Sequence, residues 1–330
     1  MAAVWTEVLG IARPGVRDNF FELGGHSLKA IQVLARLRAR TGADVPLPTL
    51  FAAPTIEHLA RAVQDAVSST QPALVAGSCI EDAPLSLHQQ RLWFLDQLEP
   101  GSAAYNIPTA LRLAGDLDVA ALQHALGEVV RRHHVLRTTF VVRDGEPWQR
   151  VGDAGIVPLP SDDLRGWPAV ERDNAAASIA AEETARPFDL AHGPLMRGRL
   201  VRLGDTDSLL LLTFHHIVAD AWSLAILARE LRALYGAFVA GEPSPFAEPA
   251  VQYADFARWQ RNQLDDASLG RQLAYWKAQL DGAPTLLELP ADRPRPATRS
   301  LQGALLRFSL AADLVAAARR TGQDLSLIHI

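Results

Sequence analysis

Leu209–Trp222 reads LLLLTFHHIVADAW, and the way it changes character decides how most of the chain folds. Leu209–Phe214 is a continuous apolar run of strand length, and helical spacing takes over from Ala221 to Val239. The pair His215-His216 therefore falls at a strand end, where rigid scaffolds commonly display catalytic groups. A neutral imidazole with a pKa near the working pH could deprotonate or orient an amine nucleophile. Asp220 reads as the N-cap of the following helix. Two other readings stay open on these residues alone: a buried structural histidine pair, and a His-x-x-x-Asp metal pair, although no further compact ligand set accompanies it.

Outward from this stretch, helical runs at Val119–His133, Asn174–Ala185 and Leu273–Leu280 alternate with β-rich runs such as Gly303–Leu310, which predicts an α/β sandwich. The N-terminal fifth differs. Residues 2–9, 28–39 and 55–67 carry apolar residues at three- and four-residue spacing between Gly/Pro-bearing loops, predicting a small all-α bundle. Periodicity stops at Ser68–Ala83, SSTQPALVAGSCIEDA, which reads as a linker.

The 330 residues are 48% hydrophobic, enough for substantial cores. The 32 Lys+Arg against 37 Asp+Glu give a net charge of -5 with no dense basic stripe, which argues against a nucleic-acid partner. The lone Cys79 makes no intramolecular disulfide and fits a reducing, cytoplasmic setting. The longest apolar run, SLLLLTF, is too short to span a bilayer, so no membrane association is expected. Ser102, Ser223 and Ser326 lack a Gly-x-Ser-x-Gly elbow and read as caps or loop residues. Trp93, Trp222 and Trp259 read as core or helix-packing residues.

Asp18–Ala30, DNFFELGGHSLKA, places Ser27 where an amphipathic run begins. The bland reading is a serine N-cap after a glycine turn. The functional one is a serine presented at a helix start, where free N–H groups and the dipole favour phosphate. His26 beside it reads equally as a loop residue or as a contact for the phosphate or a modifying enzyme.

This stretch closely resembles the attachment motif of peptidyl carrier domains in nonribosomal peptide synthetases. PLSLHQQRLWFLDQLEPGSAAYNIP from Pro84, RRHHVLRTTF at Arg131–Phe140, HHIVADAWS and YADFARWQ at Tyr253–Gln260 resemble, in order, four motifs of synthetase condensation domains. The resemblance implies residues 1–67 as carrier, 68–83 as linker, 84–283 as the first condensation lobe and 284–324 as the start of a second.

It also implies 4′-phosphopantetheine attached to Ser27. His216 would position or deprotonate the attacking amine, with His215 in support, and Asp220 would pair with Arg137. The expected partners are a phosphopantetheinyl transferase, an upstream adenylation domain, a downstream carrier and carrier-bound aminoacyl or peptidyl thioesters. Ala221 stands where the family usually has Gly.

The fold implied is a small all-α four-helix-bundle carrier followed by an α/β sandwich lobe like that of chloramphenicol acetyltransferase. The second lobe is mostly missing, so the isolated chain is expected to be inactive in condensation. The ending LSLIHI, 325–330, reads as a translated sequencing adapter. A carrier plus epimerisation domain, and a carrier plus a docking domain without activity, are the alternatives.

Overall fold

The structure is a computed structural model that describes residues 1–66, 74–77, 82–264, 266–288, 290, 292–294, 306 and 308–324. Cys79, Ser326, most of the linker, half of 303–310 and the hexapeptide 325–330 lie outside the described residues, and the described half of the expected β-rich run 303–310 is not in a strand. The chain divides into two compact units, one holding the N-terminal helices and the last helix, the other everything between.

In the first unit α1 (Ala2–Leu9), α2 (Ser27–Thr41), α3 (Leu47–Ala52) and α4 (Ile56–Asp65) surround a core of Val4, Trp5, Phe20, Val33, Leu37, Leu50 and Leu59. Trp5 meets Phe20 edge-on at 5.0 Å, the arrangement ring quadrupoles favour. The sequence shows α1, α2 and α4 by their apolar spacing. The short α3 escaped because six residues hold too few turns for a period, and Pro46 and Pro48 read as loop.

The second unit begins with β1 (Ala83–Pro84), α5 (Leu87–Leu98), β2 (Asn106–Ala114) and α6 (Val119–Arg132). A 3-10 turn at His134–Arg137 leads into β3 (Thr138–Arg143), β4 (Glu146–Val151), β5 (Ser161–Asp163) and α7 (Ala169–Ala185). Then come β6 (Met196–Gly204), β7 (Asp207–His215), α8 (Ala221–Val239), α9 (Tyr253–Gln263) and α10 (Asp266–Gln279). The last helix, α11 (Ala312–Asp324), is the one grouped with the N-terminal helices.

Strands order as β2-β7-β6-β5 in one sheet and β1-β4-β3 in another. β7 lies between antiparallel neighbours, with Asn106 opposite His215 and Met196 opposite Phe214. Its apolar run is continuous because both faces are covered. Leu210, Leu212 and Phe214 pack in the cluster that includes Leu122, Leu126 and Val129 of α6 and Leu227, Leu231 and Leu234 of α8. Leu211 turns the other way, into the cluster with Ala176 of α7 and Val201. This sandwich fixes the end of β7, where the histidines emerge.

Among the tryptophans, Trp93 packs against the main core, but Trp222 is 52% exposed and is not the core residue expected. Its position on the first turn lies off the stripe of α8 that buries Leu227, Leu231 and Leu234.

Candidate functional site

β7 ends in a backbone clasp. The His215 N–H donates to the Leu195 carbonyl at 3.0 Å, the His216 N–H to the Tyr105 carbonyl at 2.8 Å, and the Val218 N–H to the His215 carbonyl at 3.0 Å. The strand end is thus held from the residue before β6 and from the segment before β2, which fixes the backbone from which the two imidazoles project.

The two rings are held in opposite tautomers. The His215 Nδ1 accepts the Ile217 N–H at 3.1 Å, so that nitrogen is bare and the proton sits on Nε2. The ring is buried against Phe188 and Tyr105. Burial, with a smaller contribution from His216, pushes its pKa down to about 4, so it is neutral and serves structure. The His216 Nδ1 lies 2.9 Å from the Ala219 carbonyl, which can only accept, so Nδ1 carries a proton and in the neutral ring the lone pair is on Nε2. His216 is half-buried, and of the two it alone presents a basic nitrogen outside the clasp.

Asp220 caps α8: its Oδ1 accepts the Ser223 N–H at 2.8 Å and the Ser223 hydroxyl at 2.6 Å, while its own N–H donates to Ser223 Oγ at 3.2 Å. Burial raises the carboxyl's pKa, but the bonds from Ser223 outweigh it and the net shift is downward. The cap reading of Asp220 and of Ser223 holds.

The expected pairing of Asp220 with Arg137 does not form. The Arg137 guanidinium donates instead to the Gly152 carbonyl, and its Nε is buried without a partner among the described residues. The physical reason is local: Arg137 sits at the foot of β3, beside Gly152 after β4, and Asp220 Oδ1 is engaged by the first turn of its own helix. Replacing Asp220 and Arg137 with alanine, singly and together, is expected to give additive losses of stability to within about 0.5 kcal/mol. The Asp220 cap alone is worth about 1 kcal/mol. A urea-unfolding cycle with a coupling well above that margin would place the two groups in contact.

Behind the loop lies an apolar cavity of about 110 Å³, lined by Phe214, Val218, Ala219, Leu224 and Leu227 with His133 at one side; His216 does not line it. Two polar contacts that sequence reasoning did not single out frame the same end of the unit. Ser86, which caps α5 in a capping box with Gln89, bonds the Tyr253 hydroxyl at 3.0 Å. His88, in the first turn of α5, stacks T-shaped on His216 with ring centroids 5.4 Å apart. The signal was its place in SLHQQR, but nothing local joins that stretch to a histidine some 130 residues later.

In the N-terminal unit Ser27 is exposed at the first helical position of α2. The N-cap is His26, in extended conformation, so the serine-cap reading is corrected by one residue. No side chain caps α2 and its first turn carries no acidic residue, which leaves the helix start suited to a phosphate. Gly24 adopts φ +85°, a conformation side chains resist, and a Cβ on Gly25 would lie 2.4 Å from the Phe20 carbonyl and ring. The two glycines therefore turn the chain against the core and bring the exposed hydroxyl to the surface. A phosphodiester on Ser27 fits this geometry.

The chain matches the condensation domain family over residues 80–326 and the phosphopantetheine attachment site family over residues 1–63. It is 46% identical over 325 residues to a component chain of the linear gramicidin synthase of Brevibacillus parabrevis, an alignment that takes in 98% of this chain and 6% of that protein. Among solved structures, the X-domain in complex with OxyB from teicoplanin biosynthesis aligns with a TM-score of 0.62 at 35% identity, covering 69% of this chain and 50% of that one. The first condensation domain of the CDA synthetase aligns with a TM-score of 0.55 at 26% identity, covering 63% and 52%. Among the described residues no helix is long and apolar enough to cross a membrane. On these matches, a helical carrier unit followed by an α/β unit with its histidine pair at a strand end, the chain belongs to the condensation domain family of nonribosomal peptide synthetases and carries a phosphopantetheine attachment domain at its N-terminal end.

Proposed function

We propose that the chain holds an aminoacyl or peptidyl group on 4′-phosphopantetheine joined to Ser27, and that its second unit condenses such a group with the amine of an amino acid on a downstream carrier. The observation that carries this reading is the His216 imidazole, whose Nδ1 is committed to the Ala219 carbonyl so that a bare Nε2 stands at the strand end. When attached, the arm supplies a thiol that holds the acyl group as a thioester. His216 Nε2 takes the proton lost by the amine as the C–N bond forms, and can return it to the sulfur as the C–S bond breaks. His215 stays neutral and keeps the loop in register, and Asp220 anchors the start of α8 rather than accepting protons.

The second unit supplies one lobe of a fold like that of chloramphenicol acetyltransferase, and a second lobe would complete the reaction chamber. The partners are a phosphopantetheinyl transferase, an upstream adenylation domain and a downstream carrier, in the cytoplasm. A short leash between carrier and lobe raises the donor's local concentration into the millimolar range.

Incubation with coenzyme A and a phosphopantetheinyl transferase is expected to add one arm's mass to the chain and none to Ser27→Ala. An equal gain in the variant would move the attachment point elsewhere. A second reading, a docking domain without condensation activity, draws on the 35% identity to a domain solved in complex with another protein. It predicts that the second unit, completed and given loaded donor and acceptor carriers, forms no amide with either His216 or alanine at that position.

A further inference from the structure

The amine-facing imidazole has a neighbour that neither its own strand nor the α8 cap accounts for. His88 projects from the first turn of α5, and its ring meets that of His216 at an interplanar angle of 66° with 5.4 Å between centroids. The α5 start is fixed independently of His88: Ser86 and Gln89 close a capping box, Ser86 is bonded to Tyr253, and the Leu87 N–H donates to Gln260 Oε1 at 2.9 Å. Among the described residues, the His216 ring is hydrogen-bonded at one edge, from Nδ1 to the Ala219 carbonyl. An imidazole tethered at one nitrogen can still swing about χ2, which is a soft torsion.

We propose that His88 is a positioning residue for His216: its ring closes off that swing and keeps Nδ1 on the Ala219 carbonyl, so that the lone pair of Nε2 stays outward. Its use in catalysis rests on His216 being the proton acceptor, but the contact itself does not.

The charge balance suits this role. Partial burial lowers the pKa of His88, and His216 and Arg91 lower it further against an opposing pull from Asp220, which favours the neutral ring. Arg91 faces it from its own helix, and His216 and Asp220 from the loop opposite. A neutral ring beside His216 leaves room for the one positive charge formed when Nε2 takes a proton. A permanent cation there would repel it.

Imidazole ¹⁵N spectra of the full chain test the assignment without any substrate. In the unsubstituted protein His216 is expected as a single Nδ1–H tautomer. In His88→Ala that pattern is expected to be lost to a mixture with Nε2–H, while His88→Phe, which keeps an aromatic ring, retains it. His88 is exposed, and an otherwise unchanged amide spectrum reports that both variants fold. A single Nδ1–H tautomer persisting in His88→Ala overturns the proposal, as does its loss in His88→Phe. The His88 titration midpoint is further expected to lie below 6.5 and to rise in His216→Asn; no response would place the rings apart in solution. Should these hold while amide formation proves independent of His216, the functional reading falls and the ring contact stands.

Discussion

His216→Ala, placed in a complete condensation domain and supplied with loaded donor and acceptor carriers, is expected to form amide about 10²–10⁴-fold more slowly, the usual worth of a positioned general base. The loss should fall on the rate of the chemical step, because the side chain's bonds secure a reacting nitrogen and not a carrier surface. Little of it should come from unfolding. His216 is half-buried, and deleting it removes one hydrogen bond to the Ala219 carbonyl, worth about 1 kcal/mol. Single-turnover rates beside a urea-unfolding midpoint separate the two. A variant that keeps its full rate would leave orientation by other groups, or docking alone, as the second unit's task.

His215 calls for a different measurement. Its folded pKa of about 4 lies below the ordinary 6.5, because the ring is buried, so the unfolded chain takes up this proton first as the pH falls. The stability that His215 contributes is whole above about pH 6.5 and is lost as the pH drops toward 4. With about 1.36 kcal/mol for each pH interval of one between the unfolded and folded values, the loss approaches about 3 kcal/mol. Urea unfolding at a series of pH values should show this slope in the unsubstituted chain and its absence in His215→Gln, whatever the variant's stability at neutral pH. His88 and His134 are also lowered by burial and add slope of the same sign, so the comparison with His215→Gln is what isolates the residue. Equal slopes would mean that His215 is hydrated and titrates normally. Together the two experiments distinguish neighbouring histidines: His216→Ala loses chemistry with little stability, whereas His215→Gln loses the acid-dependent slope of stability.

Much of this was legible along the chain because the signals are local. Leu209–Phe214 followed by Asp220 gives a buried strand and a capped helix within one short stretch, and the structure draws β7 and α8 there. The apolar spacing of 2–9 and 28–39 likewise finds α1 and α2, and SLKA after Gly24-Gly25 finds an exposed Ser27 at a helix start. The errors are equally physical. The cap shifted from Ser27 to His26 because backbone conformation, not side-chain preference, sets where a helix begins. Asp220 and Arg137 parted because each met a nearer partner, one across a single helical turn and the other across a strand pair.

The sequence by itself determined most of the longer helices, that an α/β sandwich follows an α-helical bundle, and which serine and which histidines could do chemistry, since periodicity, caps and motif residues are written in neighbouring positions. Only the tertiary structure decided which nitrogen of each histidine is free, that His215 is locked neutral, and that His88 stands against His216. Those depend on a carbonyl, a burial and a ring brought together from different elements, and a chain records no distance between residues far apart along it.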